Sequence, residues 1–212
     1  MDVRMFTVGP VQENTFLFRR EGSDRALIVD PGEEADRLLA AIEEMGVQLD
    51  GILLTHTHFD HVGAVAPVAK ATGAEVWVPE IEKGVLADIN SFVPWAEFGP
   101  FESWNAEHTL KGSEKLELAG FEIDVLFTPG HSPGHVTFYI PDEAAIFSGD
   151  VLFQGSVGRT DLPGGDPRVL MQTLRTLAET LPDETVVHPG HMGLTTIGAE
   201  RATNPFLSAL AR

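Results

Sequence analysis

Short runs of alternating or continuous apolar residues, broken by glycine and proline, divide the chain into strands with a few amphipathic helices between them. Residues 3–8, 14–19 and 25–29 read as three consecutive strands, with Arg20-Glu21-Gly22-Ser23-Asp24 as a hairpin connection and Asp30-Pro31-Gly32 ending the third. Over 34–45 the apolar positions Leu38, Leu39, Ile42 and Met45 fall at helical spacing and Gly46 stops them. A strand over 51–54, a helix over 63–72 ending at Gly73, and a strand over 75–78 follow. The second half predicts strands at 116–118, 121–127, 135–140, 144–148 and 185–188, a helix over 167–180 and a C-terminal helical stretch. Residues 80–115 hold Gly, Pro and three helix-compatible fragments without a sustained period, and read as a lid-like segment. Its Trp95 and Trp104 fit a pocket cover, or more plainly anchors that tie a loop to the core.

With 212 residues and no repeat, the chain is long enough to bury one substantial core, so a single domain over 1–212 is expected. The formal charge of −18 disfavours a polyanionic partner, because long-range repulsion slows encounter with nucleic acid or an anionic bilayer. The absence of cysteine removes thiolate ligands, disulfides and a cysteine nucleophile together, so any metal site must use nitrogen and oxygen. No run of about eighteen apolar residues appears, and Met1-Asp2-Val3-Arg4-Met5 does not open a basic and then apolar leader. A soluble cytoplasmic protein with a small-molecule substrate is expected, with neither nucleic acid nor membrane as partner.

The densest chemistry lies in Thr55-His56-Thr57-His58-Phe59-Asp60-His61, behind the apolar run Gly51-Ile52-Leu53-Leu54. A strand running into a loop aims His56 and His58 to one side, and Asp60 and His61 follow where the chain turns away. Imidazole with carboxylate suits zinc, iron or manganese, whereas calcium or magnesium would call for oxygen almost alone. Three later strands end in Gly-containing turns that carry ligand types: His131 in Phe127-Thr128-Pro129-Gly130-His131, Asp150 in Phe147-Ser148-Gly149-Asp150, and His191 in Val187-His188-Pro189-Gly190-His191. That repetition is how rigid elements hold a site at one edge of a sheet stack. Gly130-His131-Ser132-Pro133-Gly134 matches the serine-hydrolase elbow in form only, because Pro133 and a predicted strand follow where the elbow needs a helix. His135 is read as a hydrogen-bonding core residue, and His108 and His188 as surface or core. Asp30 suits a partner to a ligand histidine or a simple turn former. Arg159 suits a substrate carboxylate, or an ion pair with Asp161 or Asp166.

The pattern His-x-His-x-Asp-His, followed by a distant His, Asp and His after strands, resembles the metallo-β-lactamase fold superfamily from about residue 3 to residue 206. The resemblance implies an α/β fold, a four-layer αββα sandwich with mixed sheets. It also implies two divalent metal ions, zinc first and iron or manganese as alternatives. His56, His58 and His131 would hold one ion, Asp60, His61 and His191 the other, and Asp150 would bridge them. β-Lactamases of the superfamily commonly lack the histidine matching His61, so the set is similar to the hydrolase branches. Gly158-Arg159-Thr160-Asp161-Leu162-Pro163-Gly164-Gly165-Asp166, Thr195-Thr196-Ile197-Gly198-Ala199-Glu200-Arg201 and Asn204-Pro205-Phe206 are similar to short bacterial glyoxalase II-like (hydroxyacylglutathione hydrolase-like) proteins. The extra C-terminal helical part that supplies glutathione contacts in the longer enzymes is not expected in a chain of this length.

The implied activity is metal-dependent hydrolysis of a small anionic thioester such as S-lactoylglutathione. A positive dinuclear centre would hold a bridging water as hydroxide, which attacks the carbonyl while one ion polarises its oxygen. Asp60 and Asp150 are the residues expected to act at the reacting atoms, Asp60 by orienting the hydroxide. The alternative is a mononuclear iron centre on His56, His131 and Asp150, since the Gly-Arg-Thr-Asp setting of Arg159 also looks like persulfide dioxygenases.

Overall fold

Strands whose neighbouring residues are both apolar must bury two faces, and in this protein both faces are covered. The computed structural model describes residues 1–210. The first sheet runs β1 (Asp2–Val8), β2 (Glu13–Arg19), β3 (Arg25–Val29), β4 (Gln48–Leu53), β5 (Val76–Pro79) and β6 (His108–Leu110) in that order. Its first two pairings are antiparallel and the remaining three parallel. In the second half come β7 (Lys115–Leu118), β8 (Phe121–Phe127), β9 (Val136–Ile140), β10 (Ala145–Gly149), the hairpin β11 (Leu152–Phe153) with β12 (Ser156–Val157), β13 (Val186–Pro189) and β14 (Thr195–Thr196). The second sheet has the order β14-β13-β10-β9-β8-β7, with only β10 and β13 parallel.

Side chains sort by parity. Phe16, Phe18, Leu27, Val29 and Leu53 point between the sheets and meet Phe121, Ile123, Val125, Phe138 and Phe147. Their neighbours Leu17, Ala26, Ile28, Ile52 and Leu54 face the other way, under helices α1 (Ala35–Met45) and α3 (Val65–Thr72). The one-turn helix α2 (Phe59–Val62) precedes α3 and carries part of the histidine loop. On the far side Ile146 and Val187 pack against Leu170, Leu174 and Leu177. Those three leucines lie on α5 (Pro167–Thr180), whose first turn is capped by Asp166 accepting from the amides of Arg168 and Val169. The expected αββα sandwich with mixed sheets is therefore formed.

Several elements differ from the sequence reading. The strand β6, the hairpin β11 and β12, and β14 are each two or three residues long, too short to show a period. In the 80–115 segment, 3-10 turns at Glu80–Glu82 and Ile89–Ser91 flank helix α4 (Lys83–Ala87). The two tryptophans divide the alternatives between them, since Trp104 packs on the first helix layer while Trp95 lines a cavity. Helices α6 (Ile197–Thr203) and α7 (Pro205–Leu210) close the chain. No helix among the described residues is long and apolar enough to cross a membrane.

The topology gathers the ligand-type residues. Strands β3, β4 and β5 are parallel, so their C-terminal ends share one edge, which carries Asp30, the 55–61 loop and Glu82. Strands β8, β10 and β13 run in one direction within the second sheet, and their C-terminal ends carry His131, Asp150 and His191. Backbone bonds from Asn14 N–H to the Gly190 carbonyl (2.7 Å) and from Val136 N–H to the Thr55 carbonyl (2.8 Å) tie the two edges together.

Candidate metal centre

Four of the five imidazoles of the predicted set are oriented by a partner on one nitrogen, which leaves the other nitrogen facing inward. His61 Nδ1 donates to Asp30 Oδ2 (3.0 Å), His131 Nδ1 to the Arg159 carbonyl (2.8 Å) and His191 Nδ1 to the Gln12 carbonyl (3.1 Å). His56 Nδ1 lies 3.0 Å from Thr55 Oγ1, whose own proton goes to Asp30, so the hydroxyl accepts and His56 Nε2 is left bare. Such partners fix the tautomer that a metal ligand needs. His58 is the exception, presenting Nδ1 inward, 2.8 Å from His131 Nε2.

Two trios result. His56, His58 and His131 form one, and Asp60, His61 and His191 the other, with the donor atoms of each within 4.8 Å of one another. Asp150 lies between them, Oδ1 being 3.3 Å from His61 Nε2 and Oδ2 3.4 Å and 3.5 Å from His131 Nε2 and His191 Nε2. All seven predicted ligands are thus brought to one place.

The donors fit metal ions. His56 Nε2 and His131 Nε2 face each other at 3.2 Å with no proton between them when both rings are neutral. Two nitrogens on one tetrahedral ion, each about 2.0–2.1 Å from it, would lie roughly 3.3 Å apart. The 3.3 Å separations of His61 Nε2 from Asp150 and of His191 Nε2 from Asp60 match the same spacing. His61 Nε2 and Asp150 Oδ1 are buried with no hydrogen-bond partner, a cost that a cation would relieve.

The trios differ in charge. Burial, and after it the neighbouring imidazoles, push His56 well below the usual histidine range, and burial with His131 takes His58 down to about 4. Burial works the same way on His61 but is outweighed by Asp150 and Asp60, which raise it well above that range. His191 is also raised, its burial overcome by the hydrogen bond to Asp60 and the charge of Asp150. Burial disfavours both carboxylates, yet His61 and His191 hold Asp60 low, and His61 and His131 hold Asp150 well below its usual value.

Support comes from residues around the donors. Asp30 accepts from the Thr55 amide (2.7 Å) as well as from His61, so it supports the ring of a candidate ligand. His135 is buried, meets Thr128 Oγ1 at 2.9 Å through Nδ1, and accepts the Asp150 amide at 3.1 Å through Nε2. Its hydrogen bonds are those of a core residue, and they also hold the Asp150 backbone. A Cβ at Gly190 would sit 2.4 Å from Asp150 Oδ1, so only glycine admits the carboxylate there. Glu82, which no motif marked, is buried and accepts from the amide (2.8 Å) and hydroxyl (2.9 Å) of Thr57, from Ser132 Oγ and from the Gly134 amide (2.8 Å). It clamps the His56/His58 loop to the His131 loop. Ser132 is engaged by it and is followed by β9 rather than a helix, which agrees with rejecting the serine-nucleophile motif.

Other histidines lie outside the cluster. His108 pairs with Glu75 (2.6 Å) and stacks on Trp77, and His188 is buried against Phe147. The Arg159 guanidinium is taken by Asp161 in a two-point pair at 2.7 Å and 2.7 Å, while its carbonyl serves His131.

A family model described as "Metallo-beta-lactamase superfamily" matches residues 8–191. The protein named "Probable metallo-hydrolase YqgX" from Bacillus subtilis is 39% identical over 212 residues, spanning 100% of both chains. "Hydroxyacylglutathione hydrolase GloC" from Haemophilus influenzae is 37% identical, spanning 99% of each. Among solved structures, BLEG-1 B3 metallo-beta-lactamase superposes with a TM-score of 0.91 at 38% identity, over 98% of this chain and 100% of that one. TTHA1623 in a di-iron-bound form gives 0.84 at 45% identity, over 96% of this chain and 100% of that one.

Proposed function

Because this chain belongs to the metallo-beta-lactamase superfamily, we propose that it is a dinuclear metal-dependent hydrolase of small thioesters. The observation that carries the reading is the convergence of seven donors into two trios that share Asp150. His56, His58 and His131 would hold one ion and Asp60, His61 and His191 the other, with Asp150 reaching both. The di-iron-bound neighbour supports two ions, and the donor types admit zinc, iron or manganese. The relative named hydroxyacylglutathione hydrolase supports a thioester as the bond cleaved. A mononuclear centre on His56, His131 and Asp150 would leave four converging donors without a role.

Two divalent ions in such a site supply a water-derived nucleophile at neutral pH and a Lewis acid for the carbonyl oxygen. The chain's own part is positional. Asp60 lines the cavity and turns Oδ2 toward His61 and His191, which leaves Oδ1 to accept a hydrogen bond from an attacking water and to aim it. The chain has no cysteine and its Ser132 is engaged, so no side-chain nucleophile is called on. One water is consumed: a C–O bond forms, the C–S bond breaks, and a carboxylate and a thiol leave. The thiolate is a good leaving group and needs no dedicated acid.

The test is thiol release from small thioesters, starting with S-D-lactoylglutathione, by metal-reconstituted protein under argon, with His58→Ala as control. Turnover lost in the variant is expected. Absence of release from any thioester, with two ions confirmed bound, would overturn the reading.

A further inference from the structure

A cavity of about 680 Å³ opens onto both trios, large enough for a drug-sized molecule. Its walls are unlike the rest of the surface. Of nine large apolar side chains exposed among the described residues, four, Val11, Ile81, Phe92 and Trp95, line this one cavity. Ile81 is 62% exposed and Phe92 57%, which the packing of the fold does not require. Apolar side chains gathered at one concave place mark a binding surface, whereas scattered ones mark nothing. Leu162 and Pro163 add to the apolar lining. The aromatic wall is held in place, with Phe59 stacked on Phe98 at 4.8 Å and edge-on to Trp95 at 6.2 Å.

Charge is scarce on these walls beyond the metal-facing donors. Arg159 is their sole cation, and its Nε and Nη2 already donate to Asp161, which leaves the pair neutral. Glu82 is buried with four donors upon it. A substrate arm bearing carboxylates would meet no cation here that lacks an acidic partner already beside it, and it would approach a chain of formal charge −18. An aliphatic or aromatic arm would displace water from a ready apolar wall.

We infer that the cavity selects thioesters with uncharged, apolar arms, esters of a neutral thiol being taken ahead of those of a charged peptide thiol such as glutathione. This rests on the thioester hydrolase reading and narrows its substrate class.

The experiment compares kcat/KM of the metal-loaded full-length protein on S-acetyl-, S-butanoyl- and S-hexanoyl-N-acetylcysteamine and on S-hexanoylglutathione, by thiol release. The expected result is a rise of about fourfold per added methylene, the fold-change that burying one methylene brings. At equal acyl length the neutral thiol ester should lead the glutathione ester by about tenfold or more, since charged groups left unpaired on the wall are penalised. Phe92→Asp and Ile81→Asp alter exposed positions, and each should flatten the chain-length dependence. A flat series with the glutathione ester preferred, or a dependence unchanged in both variants, would overturn the inference and leave the hydrolase reading standing. Cleavage of none of the four esters would overturn the inference, and failure on S-D-lactoylglutathione as well, with two ions bound, would remove the hydrolase reading itself.

Discussion

His56, His58 and His131 meet as three imidazoles that burial and one another hold to the neutral form, whereas Asp60, His61 and His191 meet as a carboxylate between rings that neighbouring carboxylates push toward the charged form. The first trio holds no carboxylate of its own, only the 2.8 Å contact of His58 with His131 beside the facing His56 and His131 nitrogens. The second neutralises itself, with Asp60 and Asp150 set against His61 and His191. Two sites a few ångströms apart, built on the same sheet edges, therefore sit at opposite ends of one trade: one is ready for an ion, the other must give up protons to accept it.

The harshest way to break this comparison is to remove the group that both trios share. Asp150→Asn takes away the charge facing His61, His131 and His191 while keeping the shape. Metal content is expected to fall from two ions to one, and kcat for thiol release by about a hundredfold to a thousandfold, the usual scale for losing a charge-stabilising group. Elemental analysis beside the rate assay checks both. Two ions and an unchanged rate would mean that Asp150 does not join the trios.

Acid separates the trios without mutation. In the metal-free protein the neighbouring carboxylates hold His61 well above the usual histidine range and raise His191, so an ion entering the second trio competes with protons there. Affinity at that site should fall as pH drops, about tenfold per unit for each proton displaced. His56 and His58 are lowered, the latter to about 4, so neither adds a proton cost between neutrality and mild acid. Metal titrations over this range should show two affinities that diverge as pH falls, with proton release accompanying the weaker event. Parallel pH dependence of both events would contradict the assignment of charge.

The unequal visibility of these parts in the sequence has a physical cause. The 55–61 loop announces itself because four of its seven residues are ligand types, and His131, Asp150 and His191 do so because each follows an apolar run and a glycine turn. The strands that carry them are long enough to show their period, whereas β6, β11, β12 and β14 are not. Glu82 gave no sign. Its donors lie 25, 50 and 52 residues away, and only the folded edges bring them together. For Arg159 the side chain takes the expected ion pair with Asp161, while the role of its backbone carbonyl in orienting His131 left no mark in the sequence.

Residues behind the donors sharpen the contrast further. Asp30 holds the His61 tautomer, so Asp30→Asn should weaken the second ion by about tenfold to a hundredfold, as loss of a histidine's supporting carboxylate generally does. Some of that effect will pass to His56, because Thr55 Oγ1 lies between Asp30 and His56 Nδ1.

Glu82 is the counterpart for the first trio and acts only through backbone and hydroxyl groups, so the smallest change is expected there. Glutamine at this position has one acceptor oxygen and an amide NH2 that would face donors, leaving at least one of the four bonds unmade. Leaving a buried donor unsatisfied costs about 1–3 kcal/mol. At this chain length that corresponds to a Tm lower by roughly 2–4 °C for each kcal/mol. Because the bonds join the loop of His56 and His58 to that of His131, the affinity of the first ion should fall by a few fold while that of the second stays put. The pH dependence of each affinity should stay as it was. Calorimetric melting together with the same two-event metal titration reads both quantities, and a loss confined to the second ion would show that Glu82 supports the wrong half of the site.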